Sequence, residues 1–97
     1  MSKKYFTLTG TQFCFGKEFM KAGMNVYLEK EEDNKYDKEA IQVKMKGLGK
    51  VGYVANSPRT VLGESYSAGR LYDKIGKKAK GKVIYVLDQG VLCQLKD

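Results

Sequence analysis

The feature that most constrains the fold is a succession of short segments in which apolar and polar residues alternate, each closed by glycine or by a polar turn. From Asn25 onward, Val26 and Leu28 fall on one side of such a segment, and Ile41 and Val43 do the same after a polar loop. A period of two belongs to β-strands, in which successive side chains point to opposite faces. The chain is therefore predicted to be mainly β, with strands buried on one face.

Strand character is found in six places along the chain. The first is residues 5–15, rich in aromatic residues and threonine, where Gly10 predicts a kink or bulge. Residues 17–23 are interpreted as one helical turn or an irregular crossover. The other predicted strands are residues 25–31, 41–46, 50–55, 81–87 and 91–95. Glycine-containing turns predict hairpins between the third and fourth strands and between the last two.

Two short helices are predicted after the fourth strand. Ser57 is a favourable N-cap, and Pro58 suits the first helical position because its missing amide hydrogen costs nothing there. Apolar residues at helical spacing then predict helices over residues 59–65 and 68–75, the second stopped by Gly76.

The number and length of the strands indicate a small barrel. A chain of 97 residues is long enough for one domain with its own core, and we expect residues 1–97 to form a single domain. An open sheet of six strands would expose long edges, so closure into a barrel is the economical arrangement. The predicted class is mainly β (α+β), a six-stranded OB-like or SH3-like barrel with two short helices inserted after the fourth strand.

The composition excludes several classes of function. The chain has no histidine and only two cysteines, so neither a histidine-activated nucleophile nor a usual four-ligand zinc site can be built. We expect no enzyme activity, no cofactor and no metal, and we interpret Cys14 and Cys93 as core thiols in a reducing compartment. No targeting segment or membrane-spanning apolar run is visible, which predicts a cytoplasmic protein without a membrane partner. We also expect a monomer, although the sequence itself leaves the oligomeric state open.

The most informative stretch is the polar turn before the third strand. It reads Asn34-Lys35-Tyr36-Asp37-Lys38-Glu39-Ala40-Ile41-Gln42-Val43 and is followed by Lys50-Val51-Gly52-Tyr53-Val54. In a protein of net charge +7, a tyrosine ring can stack on a base, while a carboxylate can accept a hydrogen bond from a hydroxyl but repels a phosphate. Tyr36 and Asp37 together therefore suit a nucleic-acid end. Asn34 and Asp37 are also turn formers that can bond nearby backbone amides, and Tyr53 can equally belong to the core.

These two segments resemble the HIRAN domain, whose motif reads Asn-Pro-Tyr-Asp, two variable residues and Ala-Ile, followed by Ile/Val-Gly-Tyr/His. The resemblance covers essentially the whole chain. It implies a barrel that binds single-stranded DNA ends and captures a free 3′-hydroxyl. In this chain Tyr36 would stack on the terminal base, and Asp37 would accept a hydrogen bond from the hydroxyl. Lys35 stands in place of the motif's proline and adds a positive charge that can reach a phosphate.

Members of that family also contribute a basic and an aromatic residue from the first strand. Lys4 and Tyr5 fit this pair chemically, whereas counting back from Gly10 selects Phe6 and Thr7. Both alternatives stay open at the level of the sequence.

Positive charge concentrates near the two ends of the chain, and its densest cluster contains Lys77, Lys78 and Lys80. Such a cluster can follow a phosphate backbone or can simply be solvated. The leading hypothesis is a nucleic-acid-binding module that recognises single-stranded DNA 3′ ends beside a helicase or nuclease partner protein. The alternative is a non-catalytic protein-interaction module that uses the same barrel groove or a strand edge.

Overall fold

Six strands pair into one closed antiparallel barrel in a computed structural model that describes residues 3–96. The strands are β1 (Tyr5–Thr9), β2 (Asn25–Lys30), β3 (Ile41–Met45), β4 (Gly49–Val54), β5 (Lys78–Leu87) and β6 (Gly90–Lys96). One α-helix, α1 (Ala68–Tyr72), lies between β4 and β5, and a 3-10 turn covers Thr11–Phe13. The predicted mainly β, six-stranded barrel is confirmed. The outermost residues of the predicted domain, 1, 2 and 97, lie outside the described range.

Closure follows from the strand order β1-β4-β3-β2-β5-β6, because β6 also pairs with β1. Every strand therefore has a neighbour on both sides, which removes the exposed edges of an open sheet. Gly52 in β4 makes one close approach possible. A Cβ atom built there would lie 2.4 Å from the Thr9 carbonyl oxygen and 2.7 Å from Leu8 Cδ1. Any larger residue at this position would therefore push β1 and β4 apart.

The alternation seen in the sequence corresponds to burial. Val26 and Leu28 in β2 and Ile41 and Val43 in β3 are all buried, and the residues between them are half-buried. The predicted period of two is therefore confirmed in both strands. The barrel interior is completed by residues from the remaining strands and from α1, including Phe6, Leu8, Val51, Leu71, Val83, Val91 and Cys93.

The first strand is shorter than predicted, because Gly10 ends it rather than bending it. Gly10 has a φ of 75°, a left-handed conformation that takes the chain out of the β region. The next residues form the 3-10 turn, so Phe13 and Phe15 are exposed instead of lying in a strand. Cys14 between them is exposed as well, so the prediction of a core thiol is wrong for Cys14, whereas Cys93 is buried. Residues 17–23 are the irregular crossover, with turns and no helix.

The helix predicted over residues 59–65 is absent. Thr60 and Val61 both donate their amide hydrogens to the Ser57 carbonyl, at 2.9 Å each, but the pattern stops after this turn. The Leu62 amide donates instead to Thr7 Oγ1 at 3.0 Å, a tertiary bond that replaces the next helical one. The second helix ends at Tyr72, before the predicted 75, and begins after Ser67, whose Oγ accepts a bond from the Arg70 amide.

Within residues 3–96, no helix is both long enough and apolar enough to cross a membrane. The same range contains no group of three or more His, Cys, Asp or Glu side chains placed to hold a metal ion.

Candidate nucleic-acid interface

The connection from β2 to β3 is a turn organised by Asn34. Its Oδ1 accepts hydrogen bonds from the backbone amides of Tyr36 and Asp37, at 2.8 and 2.9 Å. This is the Asx type of turn, in which a side-chain oxygen takes the place of a backbone acceptor. These two hydrogen bonds agree with the turn-forming role predicted for Asn34. It leaves the Tyr36 ring 99 % exposed, so the ring packs against no core.

Asp37 combines a local role with a free oxygen. Its Oδ1 accepts a hydrogen bond from the Glu39 amide at 2.9 Å, and its backbone carbonyl accepts one from Ala40 at 3.3 Å. No donor among residues 3–96 bonds Asp37 Oδ2. One carboxylate oxygen therefore fixes the side chain in place, and the other can accept a hydrogen bond from a ligand.

A network of half-buried polar side chains holds the turn to the barrel. Glu31 accepts hydrogen bonds from Asn34 Nδ2 at 2.9 Å and from the Tyr53 hydroxyl at 3.0 Å, and Lys50 Nζ lies 3.2 Å from Glu31 Oε2. Burial acts to raise the pKa of the Glu31 carboxyl, but hydrogen bonds from Asn34, Tyr53 and Lys50 outweigh it and the pKa is lowered. The Tyr53 hydrogen bond and then the Glu31 carboxylate raise the pKa of Lys50. The charged forms of both groups are therefore favoured.

An open groove of about 580 Å³ runs beside this turn. It brings together four of the predicted site residues: Asn34, Tyr36, Asp37 and Tyr53. Tyr53 is half-buried on the wall of the groove rather than in the core. Lys35 is exposed on the same turn, next to Tyr36.

Sequence reasoning missed the opposite wall of this groove, which includes Asn56 and Thr60. Asn56 Oδ1 accepts a bond from the Gly69 amide at 2.8 Å, and Asn56 Nδ2 donates to Glu39 Oε1 at 3.3 Å, which ties α1 to the turn. The available signal was a polar residue, Asn56, two positions after the end of β4. Phe13, which was predicted to lie in a strand, is 85 % exposed on the 3-10 turn and does not line this groove.

The first-strand candidates lie elsewhere. Phe6 and Thr7 are fully buried, so neither can contact a ligand. Tyr5 is half-buried and lines a different groove, shared with Tyr66 and Tyr85. Lys4 is half-buried just before β1. The structure therefore does not bring the Lys4-Tyr5 pair to the groove beside Tyr36.

The predicted lysines occupy a third surface. Lys77 Nζ lies 3.8 Å from Glu32 Oε1, close to where β2 leaves the barrel. Lys78 and Lys80 are exposed on β5, beside Glu29 and Tyr27 of β2. These side chains do not line the groove beside Tyr36.

Comparison with known proteins assigns the fold to a family. The HIRAN domain family model matches residues 3–95. A structural-genomics crystal structure of a protein from Lactobacillus plantarum is similar, with 28 % sequence identity and a TM-score of 0.59 over 97 % of this chain and 93 % of that one. No curated protein matches the sequence at a significant level. The chain belongs to the HIRAN domain family, a family of nucleic-acid-binding modules.

Proposed function

We propose that this protein binds the 3′ end of single-stranded DNA in the groove beside the β2–β3 turn. The observation that carries the proposal is the pairing of a 99 % exposed Tyr36 ring with Asp37, which keeps one carboxylate oxygen open to a ligand. The ring supplies a stacking platform for the terminal base, a contact that contributes about 1–3 kcal/mol for any base. The open oxygen accepts a hydrogen bond from the terminal hydroxyl.

Preference for an end arises from charge. A hydrogen bond from the 3′-hydroxyl to a carboxylate is charge-assisted and contributes about 1.5–3 kcal/mol. A phosphate at the same place would put two negative groups in contact, which repel each other. Lys35, exposed on the same turn, can reach a phosphate further from the end.

The test compares two single-stranded oligonucleotides that differ only at the 3′ end, hydroxyl against phosphate, by fluorescence anisotropy. We expect tenfold or greater preference for the hydroxyl, on the basis of the ~1.5–3 kcal/mol above. Asp37→Asn should remove most of this preference, because the amide keeps an oxygen for the Glu39 amide but loses the charge. A phosphate added at the 5′ end should change little.

The matched control is Asp33→Asn, which removes the same charge from an exposed residue of the same connection that does not line the groove. This variant should keep the wild-type preference for the hydroxyl. Equal affinity of the wild-type protein for the two oligonucleotides would contradict the proposal. An equal loss of preference in Asp33→Asn and Asp37→Asn would also contradict it, since only Asp37 lines the groove.

A second candidate function is that of a non-catalytic protein-interaction module, favoured by exposed apolar residues at the end of β5. Tyr85 is 61 % exposed and Leu87 is 41 % exposed, and both line a groove with the half-buried Tyr66. Exposed aromatic groups of this kind are frequent in protein interfaces. Binding of this type would weaken with Tyr85→Ser and would depend little on salt, whereas phosphate contacts give a steep salt dependence.

A further inference from the structure

The outer face of β5 carries three lysines at alternate positions: Lys78, Lys80 and Lys82. The two residues between them face inward, with Ala79 packed against the core and Gly81 buried, and Val83, which follows Lys82, is buried as well. Alternate positions of a strand lie about 6.7 Å apart on one face. The barrel thus presents a file of positive charges at regular positions along one strand, similar in repeat to the successive phosphates of an extended nucleic-acid strand.

This file is not neutralised by the protein. In the described part of the chain, no carboxylate oxygen lies within 4.0 Å of the ammonium group of any of the three lysines. The acid that pairs in register with Lys78 is Glu29, and Lys44 Nζ already binds it at 2.8 Å. The hydrogen bond from Lys44 lowers the pKa of the Glu29 carboxyl, and the charge of Lys78 adds to that effect. Positive potential therefore dominates this face.

An aromatic residue stands beside the file. Tyr27 of β2 is half-buried and pairs in register with Lys80 on one side and Lys44 on the other. Tyr27 lines a shallow cavity of about 350 Å³ with Lys44, Lys78 and Lys80. Glu29 also lines it, and the salt bridge to Lys44 offsets the charge of this carboxylate. A tyrosine hydroxyl between lysines suits a sugar-phosphate backbone, which offers negative phosphates to cations and oxygens to neutral hydrogen-bonding groups.

We infer that Lys78, Lys80 and Lys82 with Tyr27, here called the lysine track, bind the phosphodiester backbone of single-stranded nucleic acid at internal positions. This surface is separate from the groove beside Tyr36. It extends the proposed function by holding the strand behind a captured end, but it needs no end itself. The regular repeat of charge and the neighbouring Tyr27 together favour a sugar-phosphate polymer over an acidic peptide.

The test uses closed circles of single-stranded DNA, which have no ends. The first variant replaces Lys78, Lys80 and Lys82 with glutamine. The matched control replaces Lys17, Lys21 and Lys46, three lysines of loops and turns, and changes the net charge by the same amount. Thermal melting should be alike in the two variants, because the track side chains point away from the core.

Wild-type protein should bind the circle with an affinity that falls steeply with salt. Each phosphate contact to a single strand contributes a slope of about −0.7 in log K against log salt, so the track variant should lose about two slope units and about a hundredfold in affinity near 0.1 M salt. The control variant should lose much less. Equal losses in both variants, no loss in the track variant, or equally tight binding of polyglutamate would overturn the inference.

The outcome is separable from that for the end-binding proposal. Asp37→Asn should leave affinity for the circle unchanged, because a circle has no 3′-hydroxyl. If wild-type protein fails to distinguish 3′-hydroxyl from 3′-phosphate oligonucleotides while circle binding still depends on the lysine track, the end proposal is wrong and the track is supported.

Discussion

Substitution of Asn34 should reveal how firmly the turn is held. Asn34→Ala removes the acceptor of the Tyr36 and Asp37 amides and the donor to Glu31. Each such bond contributes about 1 kcal/mol net, and water replaces part of it because the Tyr36 amide is exposed. We therefore expect the free energy of unfolding to fall by about 1–2 kcal/mol. Affinity for a 3′-hydroxyl oligonucleotide should fall as well, since Tyr36 and Asp37 lose their fixed positions.

Asn34→Asp separates the two halves of this interaction. The oxygen that accepts the backbone amides remains, but a carboxylate oxygen now faces Glu31 where an amide stood 2.9 Å away. In the wild-type protein the pKa of Glu31 is lowered from 4.5, so its contribution is present above that value and lost as pH falls. In the variant the two carboxylates raise each other's pKa, so the folded state gains stability relative to wild type as pH falls.

Urea unfolding of the three proteins at pH 7 and pH 4 is the assay. We expect Asn34→Asp to be destabilised at pH 7 by an amount similar to Asn34→Ala, and by clearly less at pH 4. A change below about 0.5 kcal/mol in Asn34→Ala would refute the reasoning, because that is the range of ordinary surface substitutions. A penalty for Asn34→Asp that is the same at both pH values would refute the assigned contact with Glu31.

Three further predictions concern the barrel, its thiols and the exposed ring. Gly52→Ala should lower the free energy of unfolding by about 2 kcal/mol or more, measured in urea, because its Cβ would lie 2.4 Å from the Thr9 carbonyl oxygen; an unchanged midpoint would contradict this contact. Burial raises the pKa of Cys93 to about 12, so Ellman's reagent should detect only exposed Cys14 in folded protein, and rapid reaction of both thiols would be contrary. Because the Tyr36 ring is exposed, Tyr36→Ala should change the free energy of unfolding by less than about 0.5 kcal/mol. It should weaken end binding by about 1–3 kcal/mol in anisotropy titrations, and Tyr36→Phe, which keeps the ring, should bind like wild type. Normal binding by the alanine variant would exclude stacking.

Local pattern predicted much of the barrel. β2 and β3 were found because their alternation reports directly which face is buried, as Val26 and Ile41 show. The helix over residues 59–65 was wrong because a tertiary bond, from the Leu62 amide to Thr7, outweighs a local capping signal. The closing pairs of β1 with β4 and β6 join residues far apart in the sequence, and no local pattern encodes them.

The candidate site also has features that the local sequence predicts and features that depend on long-range contacts. The turn at Asn34 and the exposure of Tyr36 follow from residues adjacent in the sequence, so they could be predicted. The support that Glu31 and Tyr53 give to this turn depends on strand register, which brings together residues from β2 and β4. The same limit applies to the lysines, whose separation from the groove becomes visible only when β5 is placed beside β2.

The most direct measurement of the central claim is backbone amide shift mapping with a short single-stranded oligonucleotide, once with a 3′-hydroxyl and once with a 3′-phosphate. We predict that the hydroxyl form perturbs residues 34–38 and Tyr53, and that the phosphate form loses these perturbations while those around residues 78–82 remain. Identical maps for the two oligonucleotides, or a hydroxyl map without changes at residues 34–38, would contradict the assignment of this groove to a strand end.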